Sequence, residues 1–185
     1  MNRRFVTLCV ILAGCRSERA PAPGLAQDTL AAGNQTAATA TTFGELAPGD
    51  TASVLLIMRR TMEEIESTLP DLTRRDTTLA PEPNQEPRRL SIWLEDGVPR
   101  KLVVSEPNDA GQMLDESVFW FVQGDVRVVQ QPSAAYAFDA DRILVWTDES
   151  LVPLTDITAD ARMIRERDVI EQARKWLTLL GAPLP

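Results

Sequence analysis

Between residues 89 and 147 the chain turns back on itself three times, and this serial pattern constrains the fold more than any other feature. The run 90–95 meets Asp96-Gly97 and resumes over 100–105. The run 117–122 meets Gln123-Gly124-Asp125 and resumes over 126–130, and 134–138 meets Asp139-Ala140-Asp141 and resumes over 142–147. Apolar residues recur there with a period of two or in short continuous runs, as strands require, and Gly and Asp tolerate the turn conformations between them. Strands joined by such short turns pair antiparallel with their sequence neighbours, so a meander of about six strands is expected. The first two hairpins share Trp93 and Trp120, four residues before Gly97 and Gly124. They also share Arg100 and Arg127, three residues after those glycines, a spacing of 27 that the third hairpin keeps only loosely.

A strand such as 118–122, Val-Phe-Trp-Phe-Val, is apolar on both faces and must be covered on both. One expected cover is a helix over about 158–180, where Met163, Ile170, Ala173, Leu177 and Leu180 recur at helical spacing before a stop at Gly181 and Pro183. The other is a helix from Thr51 to about Leu69, with Leu55, Met58, Met62, Ile65 and Leu69 on one stripe. Its intervening charges are mixed in sign, which favours a core-facing helix over a membrane-surface one. Residues 70–88 contain Pro70, Pro81, Pro83 and Pro87 and read as a long exposed loop with one helical turn at 72–75. The expectation is therefore a single α+β domain over 51–185, an antiparallel β-meander packed with an N-terminal and a C-terminal amphipathic helix.

Ahead of that domain, residues 15–50 are rich in Ala, Thr and Pro and poor in large apolar side chains, so they bury too little surface to offset the entropy of ordering. They read as a flexible tether spanning about 30–35 Å. Residues 1–14 carry Arg3 and Arg4, then an apolar run over 5–12 that is too short to span a bilayer. Leu12-Ala13-Gly14-Cys15 resembles the lipobox of bacterial lipoproteins. The resemblance implies cleavage before Cys15, a diacylglyceryl thioether on its sulfur and acylation of the new amino group. Two or more chains would anchor the protein stably to a membrane. Arg16, in place of the Asp that resembles an inner-membrane retention signal, favours the outer membrane facing the periplasm. The meander with flanking helices also resembles, in outline, many small envelope lipoproteins, an outline that fixes no function.

Composition excludes much. The chain has no histidine, which removes His-activated nucleophiles and His-based acid–base catalysis. Its two cysteines are Cys9, in the signal, and Cys15, so zinc sites built on thiolates and disulfides are not expected. Loss of residues 1–14 removes two arginines and no acid, moving the net charge from −8 to about −10, so nucleic acid is not an expected partner. Remaining chemistry would need carboxylates, oxygen-ligated calcium, or a Ser–Lys pair using Lys101 or Lys175. Asp139 and Asp141 with Asp148 and Glu149 read as solvated turns, because a strand separates the pairs by about 20 Å. The arginine pairs at 59/60, 74/75 and 88/89, with Arg100-Lys101, lie among acids and read as solvated surface. Ser91, Ser117 and Ser133 have no visible base. Trp93, Trp120, Tyr136 and Trp146 are the candidate ligand-binding residues, able to stack on sugars or line a groove, and equally suited to cross-strand packing.

No metal or cofactor is expected. The sequence points to a lipid-anchored envelope protein acting as a non-catalytic interaction module on another envelope protein. A carrier enclosing an apolar or glycan ligand is the closest alternative. A carboxylate-dependent glycan hydrolase is the third, and it requires two acids about 5–9.5 Å apart across a cleft.

Overall fold

The computed structural model describes residues 50–184. The expected signal, Cys15 and the tether up to residue 49 lie outside the described residues. A helix α1 (Thr51–Thr68) and a 3-10 turn (Leu69–Asp71) precede seven strands: β1 (Thr73–Thr78), β2 (Arg89–Glu95), β3 (Val98–Glu106), β4 (Asp115–Val122), β5 (Asp125–Gln131), β6 (Ala134–Asp139) and β7 (Arg142–Thr147). Helix α2 (Ala159–Leu179) follows. The strands form one antiparallel sheet in sequence order, so the domain is α+β. No helix among the described residues is long and apolar enough to cross a membrane.

The sheet has seven strands, not six. Residues 73–78, expected within a loop, pair with β2 from Thr73↔Leu94 to Thr78↔Arg89, and the short helical turn falls at Leu69–Asp71 instead of 72–75. The reason is positional. Thr-Arg-Arg-Asp-Thr-Thr contains no apolar residue and forms an edge that is almost wholly exposed, so it carries no hydrophobic period. Its β-branched threonines suit extended backbone, and β2 supplies the hydrogen-bond partners.

Alternation along the strands divides the core into two layers. Ile92, Leu102, Phe119, Tyr136 and Phe138 pack with Val169, Ile170, Ala173, Trp176 and Leu177 of α2. On the opposite face Trp120, Val128, Ala135, Ala137 and Val145 pack with Val54, Ile57, Met58 and Ile65 of α1. The two-sided apolar run in β4 is thus covered on both sides. The expected helical stripes hold in part: Met58 and Ile65 of α1 and Ile170, Ala173 and Leu177 of α2 are buried, and other members are not. In α1, Val54 and Ile57 are buried while Leu55, Met62 and Leu69 are only partly so. In α2, Met163 is 61 % exposed. The early turns of α2 are fixed by polar contacts instead: Glu166 Oε1 accepts the Ile143 N–H at 2.8 Å, and Arg162 donates to the Ile143 carbonyl at 2.9 Å.

Caps set the helix ends. Asp50 accepts the Ser53 N–H at 3.1 Å, and Thr158 accepts that of Ala161 at 3.2 Å. Gly181, at φ +62°, lets its own N–H reach the Thr178 carbonyl and that of Ala182 reach Leu177, the paired bonds of a Schellman stop.

The 27-residue spacing has a structural cause. The three hairpins expected from the sequence turn through two residues of positive φ, Asp96-Gly97, Gln123-Gly124 and Ala140-Asp141, unlike the β5–β6 hairpin at 132–133. Each carries a register shift at the same distance before the turn, at Trp93/Leu94, Trp120/Phe121 and Ala137/Phe138. The unpaired residue on the returning strand is Arg100, Arg127 or Leu144, so the Trp and Arg recur because they flank equivalent β-bulges. The third hairpin keeps the bulge without the side chains.

Candidate functional site

The four aromatic candidates do not share one face. Trp93 and Trp120 lie on the α1 side, separated by Lys101, which is paired with both in register. The Lys101 Nζ is 5.3 Å from the Trp93 ring centre and 5.8 Å from that of Trp120, and it meets Glu66 of α1 at 2.6 Å. Glu66 also accepts the Trp120 indole N–H at 3.0 Å. Arg74 from β1 stands 4.9 Å from the Trp93 ring centre. This row of alternating cation and aromatic ring across four strands is a packed ladder, and Trp93 already holds two cations. Tyr136 and Trp146 lie on the α2 side with ring centres 5.2 Å apart, beneath the Arg165 guanidinium. Burial pushes the Tyr136 phenol above its ordinary 10.0, against the opposing charge of Arg165.

Three of the four acids singled out in the sequence have defined partners. Asp139 binds Arg127 at 2.6 Å, Asp141 meets Arg174 at 3.3 Å, and Asp148 accepts the backbone N–H groups of Ser150 and Val152, both at 2.9 Å. Of the serines, Ser91 donates to Asp76 at 2.6 Å. That bond, with the Arg74 guanidinium, holds the Asp76 carboxyl below its usual range. Asp76, Ser91 and Arg89 line an open groove of about 360 Å³ on the sheet face between β1 and β4.

A larger hollow lies on the other side, between the 79–88 loop and the C-terminal half of α2. It comprises two adjoining depressions of about 550 and 170 Å³ that share Glu82, Arg88, Lys175 and Trp176. One end is apolar, with Leu79, Met113 and Leu179. The other is acidic, with Glu106, Asp168 and Glu171. Trp176 is only 4 % exposed, and its indole N–H has no acceptor among the described residues. Arg88 and Lys175 lie 5.2 and 4.5 Å from its ring centre. Arg88 is committed to Glu106 and to the Ser105 carbonyl, whereas Lys175 makes no ion pair among the described residues.

The wall of this hollow is fixed by a neighbouring loop. Glu86 donates its N–H to the Gly111 carbonyl at 3.0 Å, and its carboxylate accepts the Met113 N–H at 3.1 Å. A Cβ on Gly111 would fall 2.1 Å from the Asn84 carbonyl oxygen, and its φ is +78°. No protein family, curated protein or solved structure matches the chain. Trp176 escaped sequence reasoning because it falls at core spacing between Ala173 and Leu177. The one local signal was Lys175-Trp176 beside the acids Asp168 and Glu171.

Proposed function

We propose that the chain is a lipid-anchored cell-envelope protein whose folded domain is a non-catalytic interaction module, docking another envelope protein at the Trp176 hollow. The observation that carries this reading is the hollow itself, an acidic end beside an apolar end with Trp176 common to both. A wall held by Gly111 and Glu86 supplies the preorganisation that binding requires. Anchoring rests on the Leu12-Ala13-Gly14-Cys15 resemblance, and a tether of about 35 residues would hold the domain clear of the headgroups. The carrier alternative requires a sheet that encloses its ligand. Here β1 and β7 lie at opposite edges of an open sheet, which favours docking at a surface.

The test is chemical crosslinking in native membranes followed by purification and mass analysis. The expected result is an N-terminal peptide beginning at acylated Cys15 and one stoichiometric envelope partner, reduced when Cys15→Ala releases the chain from the membrane. An unacylated N-terminus refutes the anchor, and the absence of any partner refutes the interaction module.

A further inference from the structure

We infer that the Trp176 hollow receives a cationic protein segment in which Lys or Arg adjoins an aliphatic side chain; this deepens the interaction-module reading and rests on it. Two requirements converge on that chemistry. Five acids, Glu82, Glu86, Glu106, Asp168 and Glu171, line the two depressions against two bases. Glu82 and Glu171 form no ion pair among the described residues, and the whole chain carries −8, so a cation is drawn to this surface and met there.

The second requirement is apolar. Leu79, Met113 and Leu179 form an end suited to one aliphatic side chain. A simple amine meets only the first requirement and a lipid chain only the second. A peptide supplies a cation and an aliphatic group together.

Lys175 occupies the place at the ring that an incoming cation would take. Glu171 stands one turn earlier on α2, at the i, i+4 spacing that favours an ion pair. Lys175 lies instead over the Trp176 ring, leaving Glu171 free. An incoming Lys or Arg would displace this side chain, take its place against the ring and acids, and release Lys175 to solvent.

The experiment uses the mature full-length chain, 15N-labelled in detergent micelles, whose four tryptophans give four indole N–H signals. The probes are acetyl-Gly-Leu-Lys-Lys-Gly-amide and its counterparts with both lysines replaced by Gln or by Glu. The Trp176 signal is assigned through Trp176→Phe or, if that variant does not fold, through its contacts to the Leu177 methyls. The Lys peptide, by replacing Lys175 against the ring, is expected to shift the Trp176 signal and leave that of Trp93 in place. Glu82→Gln with Glu171→Gln, both at exposed positions, is expected to weaken binding about fivefold. An unmoved Trp176 signal, or equal binding of the Gln or Glu peptide, overturns the cationic assignment. If a stoichiometric partner is nonetheless captured in native membranes, the interaction module survives that failure; if none is captured, both fall.

Discussion

Lys101 shows how a charge is retained inside a small domain with little exposure: its ammonium is held between two indole rings and closed by one carboxylate from α1. Glu66 is 40 % exposed, so screening reduces the worth of that pair, and its second bond to Trp120 carries much of the effect. Glu66→Ala is expected to lower stability by about 1–2 kcal/mol, and Glu66→Gln by less, because the amide oxygen still accepts from Trp120. Urea unfolding of the two variants checks the order. Tyr136 is the only tyrosine in the chain, so absorbance at alkaline pH reports it alone. Folding raises its pKa, so the phenol holds its proton more tightly in the native state than in the unfolded one. Its contribution to stability is therefore complete below the ordinary 10.0 and is lost as pH rises from there through the folded-state value. The native titration midpoint should lie above that of the urea-unfolded chain; coincident midpoints would contradict the burial. Ala140 turns at φ +44°, a conformation that favours glycine, so Ala140→Gly is expected to stabilise by about 0.5–1 kcal/mol in a thermal melt.

The hairpins and both helices were legible because each couples an apolar period to a turn or cap, and that coupling is local in sequence. β1 was not legible, because an exposed edge strand has no apolar face to betray it and owes its form to pairing with β2. The helix stripes were legible as helices, and in rotation at Met58, Ile65, Ile170, Ala173 and Leu177 but not at Met163. Met163 fits the period, yet α2 is oriented there by Arg162 and Glu166 reaching the β7 backbone. The aromatic candidates were legible as residues but not as a group, since the face each occupies depends on the bulge register. The hollow was the least legible part, because it is assembled from segments about 90 residues apart, a distance over which no sequence period operates. Its wall gives a sharp comparison. Gly97 and Gly111 both have positive φ, but a Cβ meets nothing within 4 Å at Gly97 and the Asn84 carbonyl at Gly111. Gly97→Ala is expected to cost about 1 kcal/mol from backbone strain alone, and Gly111→Ala clearly more, with faster amide exchange in residues 79–88.

At the scale of the molecule, two helices close a seven-stranded sheet unequally. α2 builds the larger core layer and one wall of the hollow, while α1 lies chiefly over β4 to β7 and leaves an open groove across β1 to β4. On the proposed reading, docking falls to the hollow and not to the groove. A photo-crosslinking side chain placed at Glu171, in native membranes with the anchor intact, tests this most directly against the same probe at Thr77, which borders the groove. The account predicts one envelope protein captured from position 171 and none from 77, with capture falling when Glu82 is changed to Gln. Capture from 77 alone, or equal capture from both, would contradict it.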